Sequence, residues 1–458
     1  MFRVLCTATL LTAASQSVHA ATAIADSPIA TTPSASIRPN VMFVLDDSGS
    51  MDFDYLPDEV NYDNLCFGAA FINRIFYDPT KRYAPPPKAD GTSYPDSSFN
   101  NAKLDGFSET ASSVNLGDLS NLSTPSTEVA NKTSSKFYYS IYTGNGTPKC
   151  GSGYSRNDFT IITTSTAIVA PSGVNALTNY ANWYSYYRTR MLTTRSAAGR
   201  VFSDIDATRF RIGFSTIHTT TDNEFLSIAN FDGGTQKADF FARLYGTNPS
   251  GFTPLRSALN RAGRYYANKI PGQTDPVQYS CQRNYTILST DGYWNSNDEP
   301  SGWNEQLDSK STIGNQDGPS VAGIARPQLD DVKTGTTTGG SGASDTLADV
   351  AMYYYKNDLR TPALGNCTGA ISGQDVCNNN VSPVATDAAT YQHMNTITLG
   401  LGVSGLLNYD PNYLTQSSGD FFNLKQGSKA WPNPIANSGA ERIDDLWHAA
   451  VNGRGRYY

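Results

Sequence analysis

A short apolar run that ends in carboxylates and hydroxyls constrains the fold of this sequence more than any other feature. Residues Val41 to Leu45 are all apolar, and Asp46-Asp47-Ser48-Gly49-Ser50 follows at once. A continuous apolar run predicts a central parallel strand covered on both faces, because a half-exposed strand would alternate apolar and polar residues. Binding sites of such sheets lie at the carboxyl ends of the strands, so the polar residues are candidate site residues.

Three oxygen-bearing side chains in this segment are spaced two residues apart: Asp46, Ser48 and Ser50. In an extended loop alternate side chains face the same way, so these oxygens can converge on one point. Carboxylate and hydroxyl oxygens suit Mg²⁺ or Mn²⁺, and a cation held by neutral serines keeps positive charge for an anionic ligand. A turn whose side chains cap the following helix explains the pentapeptide equally well.

Two later segments favour the cation site. Thr253 stands directly before a predicted helix that has Pro254 at its first position, and the predicted buried strand Tyr285 to Thr290 is followed by Asp291-Gly292. Together the three segments resemble the metal-ion-dependent adhesion site of von Willebrand factor A domains. By this resemblance the metal-site residues are Asp46, Ser48, Ser50, Thr253 and Asp291. They would hold Mg²⁺ or Mn²⁺, and an acidic group of the partner would complete the octahedron.

Strands that alternate with helices along the chain predict an α/β fold with a doubly wound, mainly parallel sheet. The resemblance implies the Rossmann-like von Willebrand factor A type with large insertions. We predict strands at residues 41–45, 210–217, 225–231, 285–290 and 393–403. We predict helices at residues 179–202, 237–245, 255–268, 346–359 and 443–451, with Ser344-Asp345 available to cap the fourth of them.

The sequence divides into three parts. Residues 1–20 are predicted to be a secretory signal peptide, because the apolar run Val4 to Ala14 follows Arg3 and precedes Val18-His19-Ala20, with small residues at the cleavage positions. Residues 21–38 are predicted to be a flexible lead-in, and residues 39–458 the von Willebrand factor A-like domain. We expect insertions at about 52–176 and 295–343. The first insertion either has a function or is a mobile surface excursion, and the second is expected to be a flexible loop.

Charge and hydropathy exclude two classes of protein. The apolar run of the signal is far shorter than the roughly 20 residues that span a bilayer, and no other segment qualifies, so we expect no transmembrane segment. A formal net charge of −7 argues against nucleic acid as a partner.

Beyond the predicted signal the sequence has five cysteines: Cys66, Cys150, Cys281, Cys367 and Cys377. In an exported protein these are expected to form disulfides rather than to bind metal. The pair Cys367–Cys377 closes a short loop, worth roughly 2 to 3 kcal/mol. Cys66–Cys150 is a second candidate pair, which leaves Cys281 free or paired outside this chain.

Several aromatic-rich segments narrow the resemblance: Ala181-Asn182-Trp183-Tyr184-Ser185-Tyr186-Tyr187-Arg188, Leu288-Ser289-Thr290-Asp291-Gly292-Tyr293-Trp294-Asn295, Ala351-Met352-Tyr353-Tyr354-Tyr355 and Asp444-Asp445-Leu446-Trp447-His448. They resemble the amino-terminal region of the PilY/PilC family, the tip-associated adhesins of type IV pili. The resemblance implies a non-enzymatic adhesin and pilus biogenesis protein. It would be exported through the inner membrane to the periplasm, pilus tip or outer cell surface. Expected partners are a host or abiotic surface ligand with an acidic group, and pilin or minor pilin subunits.

One departure from the family pattern concerns its carboxy-terminal part. Family members continue into a β-propeller with an Asp-rich calcium loop, whereas this sequence stops at Tyr458 and has no Asp-x-Asp-x-Asp-Gly run. We therefore expect no calcium propeller loop in this chain. The sequence is then either a fragment of a longer protein or a short form with the metal-site domain alone.

An exported metal-dependent hydrolase that uses the same carboxylates is the alternative function. Such an enzyme needs a general base, and none of His218, His393 and His448 is next to the metal loop in sequence. The segment Asp46-Asp47-Ser48 also lacks the Gly-x-Ser-x-Gly pattern of a serine hydrolase. The sequence thus favours a binding protein over an enzyme.

Overall fold

A mixed α/β architecture with a central six-stranded sheet is seen in the computed structural model. The structure describes residues 37–58, 67–122, 137–145, 156–219, 225–295, 299–331, 342–436 and 439–458. The predicted signal peptide and nearly all of the predicted lead-in lie outside the described residues. Cys66 and Cys150 lie outside them as well, so the structure does not test that pair.

The strands, in chain order, are β1 (Asn40–Leu45), β2 (Ala102–Lys103), β3 (Ser113–Val114), β4 (Tyr139–Tyr142), β5 (Phe159–Ile162), β6 (Arg211–Thr216), β7 (Leu226–Asn230), β8 (Asn284–Thr290), β9 (Met394–Gly400) and β10 (Arg454–Tyr457). The α-helices are α1 (Ala176–Tyr186), α2 (Arg190–Asp204), α3 (Gln236–Gly246), α4 (Leu255–Tyr266), α5 (Leu347–Lys356), α6 (Asp420–Gln426) and α7 (Glu441–Asn452).

The main sheet has the strand order β10-β9-β8-β1-β6-β7. All neighbours are parallel except β6 and β7, which are antiparallel. Read from β7, this is the order 3-2-1-4-5-6 of doubly wound dinucleotide-binding folds, in which the chain changes direction across the sheet beside its first strand. The prediction of a mainly parallel, Rossmann-like sheet is confirmed, and the direction changes between β1 and β8.

Strand β1 is buried along its whole length because helices cover both faces of the sheet. Met42 and Val44 pack in a core with residues of α4, α5 and α7. Phe43 and Leu45 point the other way, into a core with residues of α2 and α3. The apolar run Val41–Leu45 is thus explained by the central place of β1, since alternate side chains enter two different cores.

Two predicted helices have different limits in the structure. The stretch 179–202 is not one helix but two, α1 and α2, because Thr189 is extended and its hydroxyl accepts from the Leu192 amide as a new N-cap, at 3.2 Å. Helix α5 is capped by Thr346 rather than by Ser344-Asp345. The Thr346 hydroxyl and the Asp349 carboxylate form a capping box.

Strand β10 and helix α6 were not predicted from the sequence. Strand β10 reads Arg-Gly-Arg-Tyr, which has no apolar alternation, and it is held as an edge strand by pairing with β9. Helix α6 is only seven residues long, too short for a helical period to stand out.

The described part of the first insertion is a packed layer with a core of its own. Its short hairpins, β2–β3 and β4–β5, lie beside α1. Tyr77 and Tyr139 from the insertion are fully buried against Tyr180 and Trp183 of α1. The insertion therefore shares a hydrophobic core with the first helix that follows it.

Parts of the second insertion also contribute to the core. Leu307 and Ile313 belong to the cluster formed with α4, α5 and α7. The glycine- and threonine-rich run at 332–341 lies outside the described residues. Further along the chain Cys367 and Cys377 form a disulfide, and Cys281 has a free thiol.

Candidate metal site at the carboxyl end of the sheet

The two predicted aspartates lie at the carboxyl ends of the neighbouring strands β1 and β8, between which the chain changes direction across the sheet. Asp46 directly follows β1, and Asp291 directly follows the neighbouring strand β8. The Asp46 amide still donates to the Ser289 carbonyl at 2.9 Å, so the ladder holds the two loops together up to the site. Doubly wound sheets bind their ligands in this crevice.

A chain of short contacts joins three of the predicted ligands. The Ser48 and Ser50 hydroxyl oxygens are 3.0 Å apart. The Ser50 hydroxyl donates to Oδ1 of Asp291 at 2.9 Å. Ser48 precedes a short 3₁₀ turn at Gly49–Asp52, and this turn brings Ser50 round toward Asp291. Residues 241 positions apart in sequence thus meet at one point.

Asp46 is fully buried and orients the loop that carries the two serines. Its Oδ1 accepts from the Ser48 amide at 2.8 Å, and its Oδ2 accepts from the Thr290 hydroxyl at 2.6 Å. Burial, followed by the charge of Asp291, raises the pKa of Asp46 to about 7. Without a cation, this carboxyl therefore holds its proton far more readily than an exposed aspartate does.

Thr253 reaches the same edge of the sheet by a different route. The Gly49 amide donates to the Gly251 carbonyl at 3.0 Å, which docks the loop before α4 onto the serine loop. A Cβ on Gly49 would lie 3.3 Å from that carbonyl oxygen, so the close approach favours glycine there. Two hydrogen bonds with Asn295 hold the backbone of Thr253. The Thr253 amide donates to Oδ1 of Asn295 at 2.8 Å, and the backbone amide of Asn295 donates to the Thr253 carbonyl at 3.0 Å.

The structure adds a buried cation that the sequence did not reveal. Arg190, the first residue of α2, donates from Nη1 to Oδ2 of Asp291 at 2.8 Å, and both side chains are almost fully buried. Burial raises the pKa of Asp291, and the charge of Arg190 opposes that rise. The two residues are 101 positions apart in sequence. An arginine between the apolar positions of a helix is common, so the neighbouring residues do not predict that Arg190 binds Asp291.

A second residue that the sequence did not place at the site is His218, which follows β6 and contacts the loop Asp46–Ser50. Its Nδ1 lies 2.8 Å from Oδ1 of Asp47, so the Asp47 carboxylate is engaged by this imidazole. The hydrogen bond to Asp47 is the main cause that raises the pKa of His218, so the imidazole keeps its proton more readily than a free histidine. Asp47 is thus held apart from the three predicted ligands that contact one another, Ser48, Ser50 and Asp291.

Helices long and apolar enough to cross a membrane do not occur among the residues that the structure describes. The described helices pack instead around the sheet and the insertion.

Comparison with known proteins identifies relatives over nearly the whole chain. No protein-family profile matches the sequence, and no solved structure matches it. Three curated relatives are each named Type IV pilus biogenesis factor PilY1, from Pseudomonas aeruginosa. The protein of strain PAK is 32% identical over 456 residues, which is 92% of this chain and 37% of the relative. The protein of strain UCBPP-PA14 is 30% identical over 99% of this chain and 39% of the relative.

This chain spans less than two fifths of the length of those relatives. The match nevertheless covers almost all of the chain, including the sheet and the insertion. The aromatic segments quoted above had implied the same family. On this similarity the chain belongs to the PilY1/PilC family of type IV pilus biogenesis factors.

Proposed function

We propose that this chain is the cation-dependent binding part of an exported type IV pilus biogenesis protein, a von Willebrand factor A-like domain that acts as an adhesin. It would attach to an acidic group of a partner through Mg²⁺ or Mn²⁺ at the carboxyl end of the sheet. The observation that carries the proposal is the run of three oxygens from Ser48, Ser50 and Asp291, spaced 3.0 and 2.9 Å apart.

The spacing of these oxygens fits the coordination of a small divalent cation. Mg²⁺ binds oxygen at about 2.0 to 2.1 Å in octahedral geometry, so ligands in adjacent positions lie about 2.9 Å from each other. Carboxylate, hydroxyl and water oxygens are the ligands that Mg²⁺ and Mn²⁺ prefer. The residues present therefore fit the group that the resemblance implies.

Each of the five residues has a distinct part in the proposed site. Ser48, Ser50 and Thr253 would be the direct, uncharged ligands. Asp46 and Asp291 would balance the charge of the cation, directly or through water. When bound, the cation supplies an open position for a carboxylate oxygen of the partner. The hydrogen bonds of Asp46 to the Ser48 amide and the Thr290 hydroxyl keep the serine loop in place before the cation arrives.

The names of the relatives support a proposed place of action and proposed partners. Because their printed name concerns type IV pilus biogenesis, we propose that this chain works outside the inner membrane, in the periplasm, at the pilus tip or on the outer cell surface. Pilin or minor pilin subunits, or a host or abiotic surface ligand with an acidic group, are the partners that the open cation position suits.

The alternative, an exported metal-dependent hydrolase, gains one candidate base from the structure. His218 lies beside the metal loop, although its Nδ1 is engaged by Asp47 and its raised pKa favours the protonated form, which cannot accept a proton. A cavity of about 470 Å³ lies between the insertion and α3, and none of the five metal-site residues lines it. We therefore propose a binding protein rather than an enzyme.

A Mn²⁺-loaded sample separates the two functions. Binding of Mn²⁺ is followed by the loss of its free electron paramagnetic resonance signal. Acetate is then added while the relaxation of water protons is measured. We expect one bound Mn²⁺ whose exchangeable water is displaced by acetate, with no turnover of p-nitrophenyl acetate or p-nitrophenyl phosphate above a metal-free control. Turnover that requires both Mn²⁺ and His218, as shown by its loss in His218→Gln, would overturn the proposal.

A further inference from the structure

Arg190 lies between the candidate metal site and the start of the insertion, and it contacts both. Its Nη1 donates to Asp291 at 2.8 Å, its Nη2 pairs with Asp58, and its Nε donates to the Tyr55 carbonyl at 2.8 Å. The guanidinium also lies over the rings of Phe53 and Tyr55, at 5.2 and 5.0 Å. All of these groups hold the cationic head in one position.

We propose that Arg190 is the residue that makes the loaded site selective for an anionic ligand. The inference rests on the proposed function, because it assigns a role within the same cation site. Arg190 would be a positioning and charge-setting residue, since it acts on the cation and the ligand through Asp291 and through its own field.

The net charge of the loaded site depends on Arg190. Asp46 and Asp291 contribute two negative charges once a cation is bound, and Arg190 contributes one positive charge. With a divalent cation bound, these charges add up to one net positive charge. Without Arg190 the same cation would only neutralise the site, and a carboxylate would meet no net attraction.

Burial makes this effect stronger than that of a surface charge. The side chains of Arg190 and Asp291 are 2% and 1% exposed, so water and salt screen their fields weakly. The other acidic partner of Arg190, Asp58, is 28% exposed and is better screened. The negative charge of Asp58 therefore cancels only part of the electric field that Arg190 produces at the cation site.

Removal of this charge should change two affinities in opposite directions. Arg190→Gln should bind Mn²⁺ about tenfold more tightly, because a positive charge that repels the cation is lost. The Mn²⁺-loaded variant should bind acetate about tenfold more weakly, because the loaded site is neutral. A purely structural role for Arg190 would instead lead to weaker binding of both, since loosening Asp291 disrupts the whole site.

Arg195→Gln is the matched control. Arg195 lies on the same helix, is 3% exposed, pairs with Asp105 of the insertion at 3.0 Å and lies over the ring of Phe107 at 4.9 Å. None of its contacts among the described residues is with the five metal-site residues. It should lose a comparable amount of stability and leave both affinities unchanged.

Two further variants test the charge itself. Arg190→Lys keeps the charge and should keep both affinities within about threefold. Asp58→Asn removes the partly exposed acidic partner, so more of the field of Arg190 reaches the site. This variant should bind Mn²⁺ more weakly and acetate more tightly, the reverse of Arg190→Gln. Because Asp58 is partly exposed, its variant remains informative even if Arg190→Gln does not fold.

All five proteins are titrated with Mn²⁺ by electron paramagnetic resonance and then with acetate by water-proton relaxation. Opposite shifts in Arg190→Gln, reversed in Asp58→Asn, support the role of Arg190. Parallel losses, or no change in either variant, overturn it. A wild-type protein that binds no Mn²⁺ overturns the proposed function itself, so the two failures are distinguishable.

Discussion

The sheet and the insertion are stabilised by different means. In the sheet, backbone ladders pair β1 with β6 and β8 along the whole length of β1, and most of its side chains fill two apolar cores. The described part of the insertion has short hairpins and much irregular backbone. Because buried backbone groups must still be paired, side chains perform that task in the insertion.

Helix α1 supplies many of these side chains from one face. Asn179 accepts from the Tyr83 amide at 2.8 Å and donates to the Lys81 carbonyl at 2.9 Å. Asn182, one turn later, accepts from the Ser97 amide at 2.7 Å. Residues three apart lie on the same side of a helix, so α1 presents a row of amides to which the insertion backbone binds.

Aromatic side chains of this layer serve both packing and hydrogen bonding. The Tyr77 hydroxyl donates to the Val169 carbonyl at 2.7 Å, and the Trp183 indole donates to the Ile75 carbonyl at 2.8 Å. A tyrosine or tryptophan can bury a large apolar ring while its polar end pairs with the backbone. This double use helps to explain why the sequence has as many as 27 tyrosines. The backbone of β1 is thus paired within the sheet, whereas part of the insertion backbone is paired by side chains of α1.

The largest expected effect comes from truncating one aromatic residue in each layer. Phe214→Ala and Trp183→Ala should each cost about 3 to 5 kcal/mol of unfolding free energy, because both side chains are buried and well packed. Phe214 lies on β6 against Phe43 of β1, so its loss should also weaken Mn²⁺ binding by more than about tenfold. Trp183→Ala should leave Mn²⁺ affinity within about threefold.

Denaturant unfolding and Mn²⁺ titration of the two variants provide the measurement. Amide hydrogen exchange adds a check on location, since Trp183→Ala should expose the Ser97 and Tyr83 amides while β1 stays protected. Equal loss of Mn²⁺ binding in both variants would break the comparison, because it would make the sheet and the insertion one cooperative unit.

A smaller effect is expected from pH, and Asp46 at the edge of the sheet contributes to it. The pKa of Asp46 is raised to about 7 in the folded protein, against 3.8 for the ordinary group. Between these values the folded state binds a proton that the unfolded state has released, so stability falls as pH rises through this window. From pH 5 to 7 the loss due to this group is about 2 to 3 kcal/mol in metal-free protein.

Other buried aspartates, such as Asp54 and Asp349, have raised pKa values too, so the comparison must be made with Asp46→Asn. The variant should lose less stability than the wild type over the same pH range, as measured by thermal unfolding in the presence of a chelator. Identical pH profiles would show that Asp46 ionises normally. Saturating Mn²⁺ should reverse part of the wild-type loss, because the cation stabilises the ionised form.

The parts of the fold that the sequence predicted are those set by local pattern. Apolar runs predicted β1, β8 and β9, and alternation predicted β6 and β7, because both patterns are properties of consecutive residues. The Asp-x-Ser-x-Ser spacing predicted the convergence of Ser48 and Ser50. The short loop between Cys367 and Cys377 likewise predicted their disulfide.

The features that the sequence did not predict depend on contacts between distant residues. Arg190 is at the site because the helix α2 that it begins lies against the turn Gly49–Asp52, and His218 is there because β6 lies beside β1. The break between α1 and α2 was missed because the helical period continues across Thr189. The packing of the insertion against α1 was not predicted, because Tyr and Asn occur in turns as well as in cores and the sequence does not show which residues they contact.

The most direct test of the account is calorimetric titration of Mn²⁺ into the wild type, Asp46→Asn and Asp47→Asn. The two variants change neighbouring carboxylates, one directed at Thr290 and Ser48 and the other at His218. We predict one bound cation per wild-type chain, an affinity for Mn²⁺ that falls about a hundredfold or more in Asp46→Asn, and near wild-type affinity in Asp47→Asn. Undiminished binding in a folded Asp46→Asn protein would contradict the metal site.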